Sequence, residues 1–193
     1  MLRTLAAVAL ALLWMLTPAH AQDWRPAASQ EQAARASFDA LWAAADRNDA
    51  DAAYALLGDG FRALMDRPAF GDSLARFTAL SGPLLERRVM RTTWYKDPPN
   101  SPGPGVYAAY DIVARYANMD RFCGYVIVYQ RDDAAPFVIL RIEQNYIDNA
   151  TAQQIAEGGG SVEDMWRHLA HTSCPGWEPS WAIPISGAAQ PPA

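Results

Sequence analysis

Residues 106–116 read VYAAYDIVARY, residues 122–131 read FCGYVIVYQR and residues 137–147 read FVILRIEQNYI. In the first stretch Val106, Ala108, Tyr110, Ile112, Ala114 and Tyr116 share one face, the period of two that a β-strand imposes. In the second, Gly124, Val126 and Val128 lie opposite Cys123, Tyr125, Ile127 and Tyr129. Both of its faces are largely apolar, as in a central strand covered on each side. The third stretch puts Val138, Leu140, Ile142 and Tyr146 opposite Phe137, Ile139 and Ile147. The turns between them, Asn118-Met119-Asp120 and Asp132-Asp133, are too short for a crossover, so the strands should pair antiparallel.

Upstream, residues 84–96 alternate only loosely, because Arg87, Arg88 and Arg91 interrupt Leu85, Val89, Met90 and Trp94. They read as a further strand whose charges protect a sheet edge. The proline-rich loop at residues 97–105 lacks the amide donors a sheet needs. Before residue 84 the period is close to 3.6. Ala34, Phe38, Leu41, Trp42 and Ala45 mark a first helix, with Ser29 as its cap and Gln32 at the capping-box position. Residues 51–57 form a short second helix, after which Phe61, Leu64 and Met65 continue an apolar stripe. Pro68 opens a third helix carrying Phe70, Leu74, Phe77 and Leu80, and Gly82-Pro83 ends it. The expected class is α+β: three N-terminal helices packed on a curved four-stranded antiparallel sheet, plus a C-terminal helix and tail.

The chain has 193 residues, 51% hydrophobic and 19% charged, enough for one domain with trimmings. Its 16 Lys+Arg against 21 Asp+Glu leave a net charge of -5, which argues against a nucleic-acid-binding face. Arg3, the apolar run at residues 5–16, Pro18 and the small residues Ala19 and Ala21 make residues 1–21 a secretory signal. That run is too short for a bilayer of about 30 Å, so no membrane association is expected after cleavage. The mature chain then divides into a tether at 22–28, the α+β domain at 29–148, a helical extension at 149–183 and a disordered tail at 184–193. The extension holds a weak helix at about 150–157, a Gly158-Gly159-Gly160 joint and a helix capped by Ser161 that runs to His171.

Export makes the chain periplasmic or secreted, an oxidising setting in which Cys123 and Cys174 are expected to pair. Closing that loop corresponds to about 4 kcal/mol of stabilisation in the chain-entropy model. The bond would staple the segment bearing Trp166, Trp177 and Trp181 to the sheet, over its edge or over the mouth of a cavity, which it would partly plug. The alternative is that this segment presents an aromatic docking surface to a partner.

Helices packed into a strongly bent antiparallel sheet resemble the cystatin-like cone of the nuclear-transport-factor-two, or SnoaL-like, superfamily. Residues 34–147 more closely resemble a bacterial exported family, domain-of-unknown-function family 4019. The residues that carry the likeness are Gly82-Pro83-Leu84-Leu85-Glu86-Arg87-Arg88, the loop running into Gly105-Val106-Tyr107, and Tyr146-Ile147 at the end of the last strand. Asn145 and Phe137 depart from the family's glycine and tryptophan. The family carries no established reaction, so the resemblance implies a fold and an exported location.

A cone has a concave mouth, and Tyr110, Tyr116 and Tyr125 are its candidate cavity or ligand contacts. Asp111, Arg115, Arg141 and Glu143 are the other polar groups on these strands, best read as pairs on a solvated sheet face. Period-two geometry sets Asp111 on the face opposite Tyr110 and Tyr116, which disfavours a joint catalytic group. Asp164, His168 and His171 share a helix face near Cys174, but they match no established zinc spacing and serve as a solvated helix end. No catalytic residue, metal or cofactor is assigned. The expected function is an exported, non-catalytic binding or accessory module for an unknown protein or small molecule, of undetermined oligomeric state. The alternative implied by the resemblance is a SnoaL-like isomerase or hydratase acting in the cone cavity.

Overall fold

A computed structural model describes residues 24–179. The signal segment, the end of the aromatic extension with Trp181, and the tail at 184–193 therefore lie outside the described residues.

The first helix, α1 (Ala28–Asp46), starts just ahead of Ser29. Gln30, not a Ser29 box, does the capping: its side-chain oxygen accepts from the Ala27 amide at 3.0 Å. Two short helices follow, α2 (Ala50–Ala55) and α3 (Asp59–Leu64), and then α4 (Arg67–Ser81). Asp49 and Asp66 cap α2 and α4 through their carboxylates. Four helices thus precede the sheet where the apolar pattern suggested three, because the stripe of Phe61 and Leu64 forms its own turn and a half after Gly58. Gly82 ends α4 at φ +69, and a side chain there would also come within 2.9 Å of Asn118.

The strands are β1 (Leu84–Lys96), β2 (Val106–Tyr116), β3 (Met119–Gln130) and β4 (Val138–Ile147), an antiparallel meander in the order β1-β2-β3-β4. The turn between β2 and β3 is tighter than Asn118-Met119-Asp120, since Met119 is already paired with Tyr116 and fully buried. Leu85 and Met90 are extra residues in β1, and Leu140 is extra in β4. Such bulges bend and twist the strand that carries them, and each reverses which residues face inward. Phe137, just ahead of β4, and Ile139 join Ile142 and Tyr146 on the helix side, whereas Ile147 turns to the other face. Alternation in the sequence groups Ile147 with Phe137 and Ile139, because it cannot register the extra Leu140.

The main core lies between the helices and one face of the sheet. Phe38 stacks on Tyr110 with ring centres 4.6 Å apart, and Phe77 meets Tyr116, Phe122 and Tyr146 within 6.0 Å. A second, smaller core covers the opposite face. There Val113, Cys123 and Ile147 pack under Trp166, Ala170 and Cys174, brought back by α5 (Asn149–Glu157) and α6 (Val162–Ser173). Cys123 and Cys174 form a disulfide across this layer. Arg91 donates to the Pro175 carbonyl, and Asn145 donates to the Ser173 carbonyl at 3.4 Å. The described part of the extension therefore covers the outer face of the sheet, not its edge or a cavity mouth. The direction follows from β3, where Cys123 points away from the α1–α4 side.

Candidate functional site

Between α1, α3, α4 and the inner face of the sheet lies a cavity of about 410 Å³. Helix α4 lines it with Phe70, Ser73, Leu74, Phe77, Thr78 and Ser81, positions that recur on one face at helical spacing. Leu41, Trp42, Ala45 and Asp46 come from the last turns of α1, and Phe61 and Met65 from α3 and its end. Leu84, Tyr116, Ile142 and Gln144 contribute the sheet wall. The lining is mostly hydrocarbon with a few polar groups, the usual composition of a small-molecule pocket.

One polar cluster closes an end of this space. Arg87 donates to both carboxylate oxygens of Asp46 at 2.9 and 2.7 Å, and to the Tyr116 hydroxyl at 3.1 Å. Its guanidinium carbon lies 4.0 Å from the centre of the Trp42 ring. The Arg87 side chain is nearly buried, at 10% exposure, while Asp46 keeps 31%. Burial opposes the charge on Arg87, but the bonds to Asp46 and Tyr116 outweigh it and leave the guanidinium more basic than usual. Burial likewise raises the Tyr116 phenol against the pull of Arg87, so it is a neutral hydroxyl at physiological pH.

The run of charges at Arg87, Arg88 and Arg91 predicts edge protection, but Arg87 turns inward. Its inward aim is a consequence of the Met90 bulge. Trp94 and Val89 both face the main core although five positions separate them, which uninterrupted alternation forbids. Met90 turns to the outer layer, and beyond it the odd-numbered Arg87 points in. Without the bulge Arg88 would take that place. Arg88 instead lies beside Glu86 at 3.2 Å, and Arg91 donates to Asp111 at 2.9 and 2.7 Å.

Of the three tyrosines expected at a cavity, Tyr116 lines it. Tyr110 shares its face but is packed against Phe38, and burial pushes its phenol up to about 12. Tyr125 lies on the outer face beneath the Arg141 guanidinium. Arg141 also bonds Glu143 on its own strand at 3.1 Å, and Arg115 bonds Asp120 at 3.3 Å. Asp111 is the buried carboxylate among the described residues, and it faces the outer layer, away from the cavity. Asp164 accepts from Arg167 at 2.7 Å and its amide donates to the Ser161 hydroxyl that caps the helix, and no group of three or more His, Cys, Asp or Glu with metal-binding geometry occurs among the described residues.

These features define an α+β protein with an apolar cavity between a helical layer and a bulged meander, backed by a disulfide-tied cap. A family model described as "Protein of unknown function (DUF4019)" matches residues 37–137, and the chain belongs to that family. Asp46, Arg87 and Tyr116 fall within the match, whereas β4, α5, α6 and Cys174 follow it. No curated protein matches the chain, and no solved structure does.

Proposed function

We propose that this chain is an exported, non-catalytic binding or accessory module of the cystatin-like, nuclear-transport-factor-two-like cone type, and that its cavity takes a small, largely apolar ligand. The observation that carries this reading is the state of the ionisable groups. The cavity's carboxylate, Asp46, is spent on two hydrogen bonds from Arg87, and the buried carboxylate, Asp111, lies across the sheet. An isomerase or hydratase needs a free acid or base inside the pocket, its affinity for protons tuned by burial. Both oxygens of Asp46 already accept from Arg87, which holds the carboxylate against its partner instead of presenting it to a ligand. Space without a poised acid or base suits capture better than turnover.

Export rests on the N-terminal signal pattern and agrees with the Cys123–Cys174 bond. Among the described residues no helix is long and apolar enough to cross a membrane.

The test is titration of the purified mature protein with the neutral dye phenylnaphthylamine, followed by its fluorescence. Wild type should bind it, and Leu74→Trp or Ala45→Phe, which fill the cavity, should abolish the signal while keeping the circular dichroism of the fold. A wild type that gives no enhancement, or filled variants that still bind, would reject the reading.

A further inference from the structure

The polar groups on the cavity wall fall into two sets. Asp46 and Tyr116 are committed to Arg87, and together the carboxylate and guanidinium carry no net charge. Ser73 and Thr78 on α4 and Gln144 on β4 also line the cavity, yet their side chains form no hydrogen bond among the described residues. All three are neutral, and each can both donate and accept. Gln144 reaches the inner face because it alternates in step with Ile142 and Tyr146, two positions to either side.

Building on the binding reading above, we infer that the cavity selects neutral, mainly hydrocarbon ligands bearing a hydroxyl or carbonyl group, over carboxylate or ammonium amphiphiles of the same length. An entering anion meets Asp46 and finds its guanidinium already occupied. An entering cation meets a carboxylate already neutralised. Either ion must break the Arg87–Asp46 pair or lose its hydration without a counter-charge, and both are costly in an apolar space. A hydroxyl has neither difficulty. It replaces one water contact by a bond to the Gln144 amide or to a Ser73 or Thr78 hydroxyl, and its hydrocarbon tail lies against Leu74 and Phe77.

Displacement of bound phenylnaphthylamine by decanol, decanoate and decylammonium at neutral pH separates the possibilities. Decanol should compete at free concentrations about tenfold lower than either ion. Gln144→Leu should narrow that preference severalfold while retaining dye binding, and Thr78→Val provides a second variant should the first perturb the sheet edge. Decanoate or decylammonium competing as well as decanol overturns the inference and leaves the cavity's binding role intact. A protein that never takes up the dye removes that role and this inference together.

Discussion

Arg87 in β1 and Asp46 at the end of α1, 41 positions apart, meet as a two-pronged ion pair beside the cavity that Asp46 lines. The pair locks the helical layer to the first strand at the point where the Trp42 ring packs beneath the guanidinium. Removing Arg87 leaves Asp46 without its partner, Tyr116 without a donor and Trp42 uncovered. Arg87→Ala should cost about 2–3 kcal/mol, whereas Arg88→Ala, at a half-exposed pair with Glu86, should cost about 0.5 kcal/mol or less. Urea denaturation of the two variants measures the difference. Equal losses would show that the Met90 bulge does not decide which arginine turns inward.

Arg91 and Asp111 form the corresponding pair on the outer face. Burial raises the Asp111 carboxyl above its ordinary 3.8, although the hydrogen bonds from Arg91 pull it down. The folded protein therefore holds this proton more tightly than the unfolded chain does. Its contribution to stability is full below pH 3.8 and declines as pH rises through the folded value. Arg91→Ala removes the opposing pull, so the carboxylate becomes costlier still at neutral pH. The variant should be about 2 kcal/mol less stable than wild type at pH 7, and the gap should shrink on acidification toward pH 4. Denaturation midpoints measured across that range check the sign. A gap that widens at low pH would contradict it.

The outer cap depends on one covalent tie. Breaking the Cys123–Cys174 bond by Cys174→Ser should cost about 4 kcal/mol, because it frees a 51-residue separation in the unfolded chain. The near-ultraviolet circular dichroism of Trp166 and Trp177, both packed in that layer, should weaken in parallel. Mass spectrometry of the unreduced mature protein should show two hydrogens fewer than the dithiol. Gly176, at φ +62, sits against the Arg91 guanidinium, where a side chain would displace it. Gly176→Ala should therefore loosen the same layer by about 1 kcal/mol.

Tyr110 reports on the main core. Its phenol is pushed from 10.0 up to about 12 by burial, so folding favours the neutral form. Its share of stability is complete below pH 10 and is lost as pH rises toward 12. Tyr110→Phe should leave stability at pH 7 within about 0.5 kcal/mol and reduce the alkaline loss. Ultraviolet difference spectra of the tyrosinate, read against unfolding, follow both. An unchanged alkaline profile would mean that Tyr110 ionises only after the core has opened.

Much of the architecture is legible in residue periodicity. The first two strands begin and end where the alternation does, and Val106 through Tyr116 present to the helices the residues that their period of two assigns. The two-sided apolar pattern of β3 anticipated a cover on each face, and α6 provides the second one. Less was legible of the site. Tyr116 reads as a cavity residue from its place on β2, and Gln144 alternates with Ile142 and Tyr146, but Asp46 carries no signal and the position of Arg87 among charged neighbours reads as an edge charge. The four-helix count was missed for a similar reason, since a turn and a half at Asp59–Leu64 is too brief for a helical period to emerge.

Local patterning established which segments are helix and strand, that the strands must form an antiparallel meander, and that the two cysteines stand ready to pair. Those outcomes follow from side-chain spacing and short turns, which act between neighbours along the chain. The aim of Arg87, the alignment of Phe137 and Ile139 with Ile142 and the side of the sheet that the C-terminal cap covers were settled by long-range pairing. A single extra residue, Met90 or Leu140, shifts the register against the adjacent strand and flips every side chain beyond it. Nothing in the neighbouring residues reveals such a shift until the partner strand is in place.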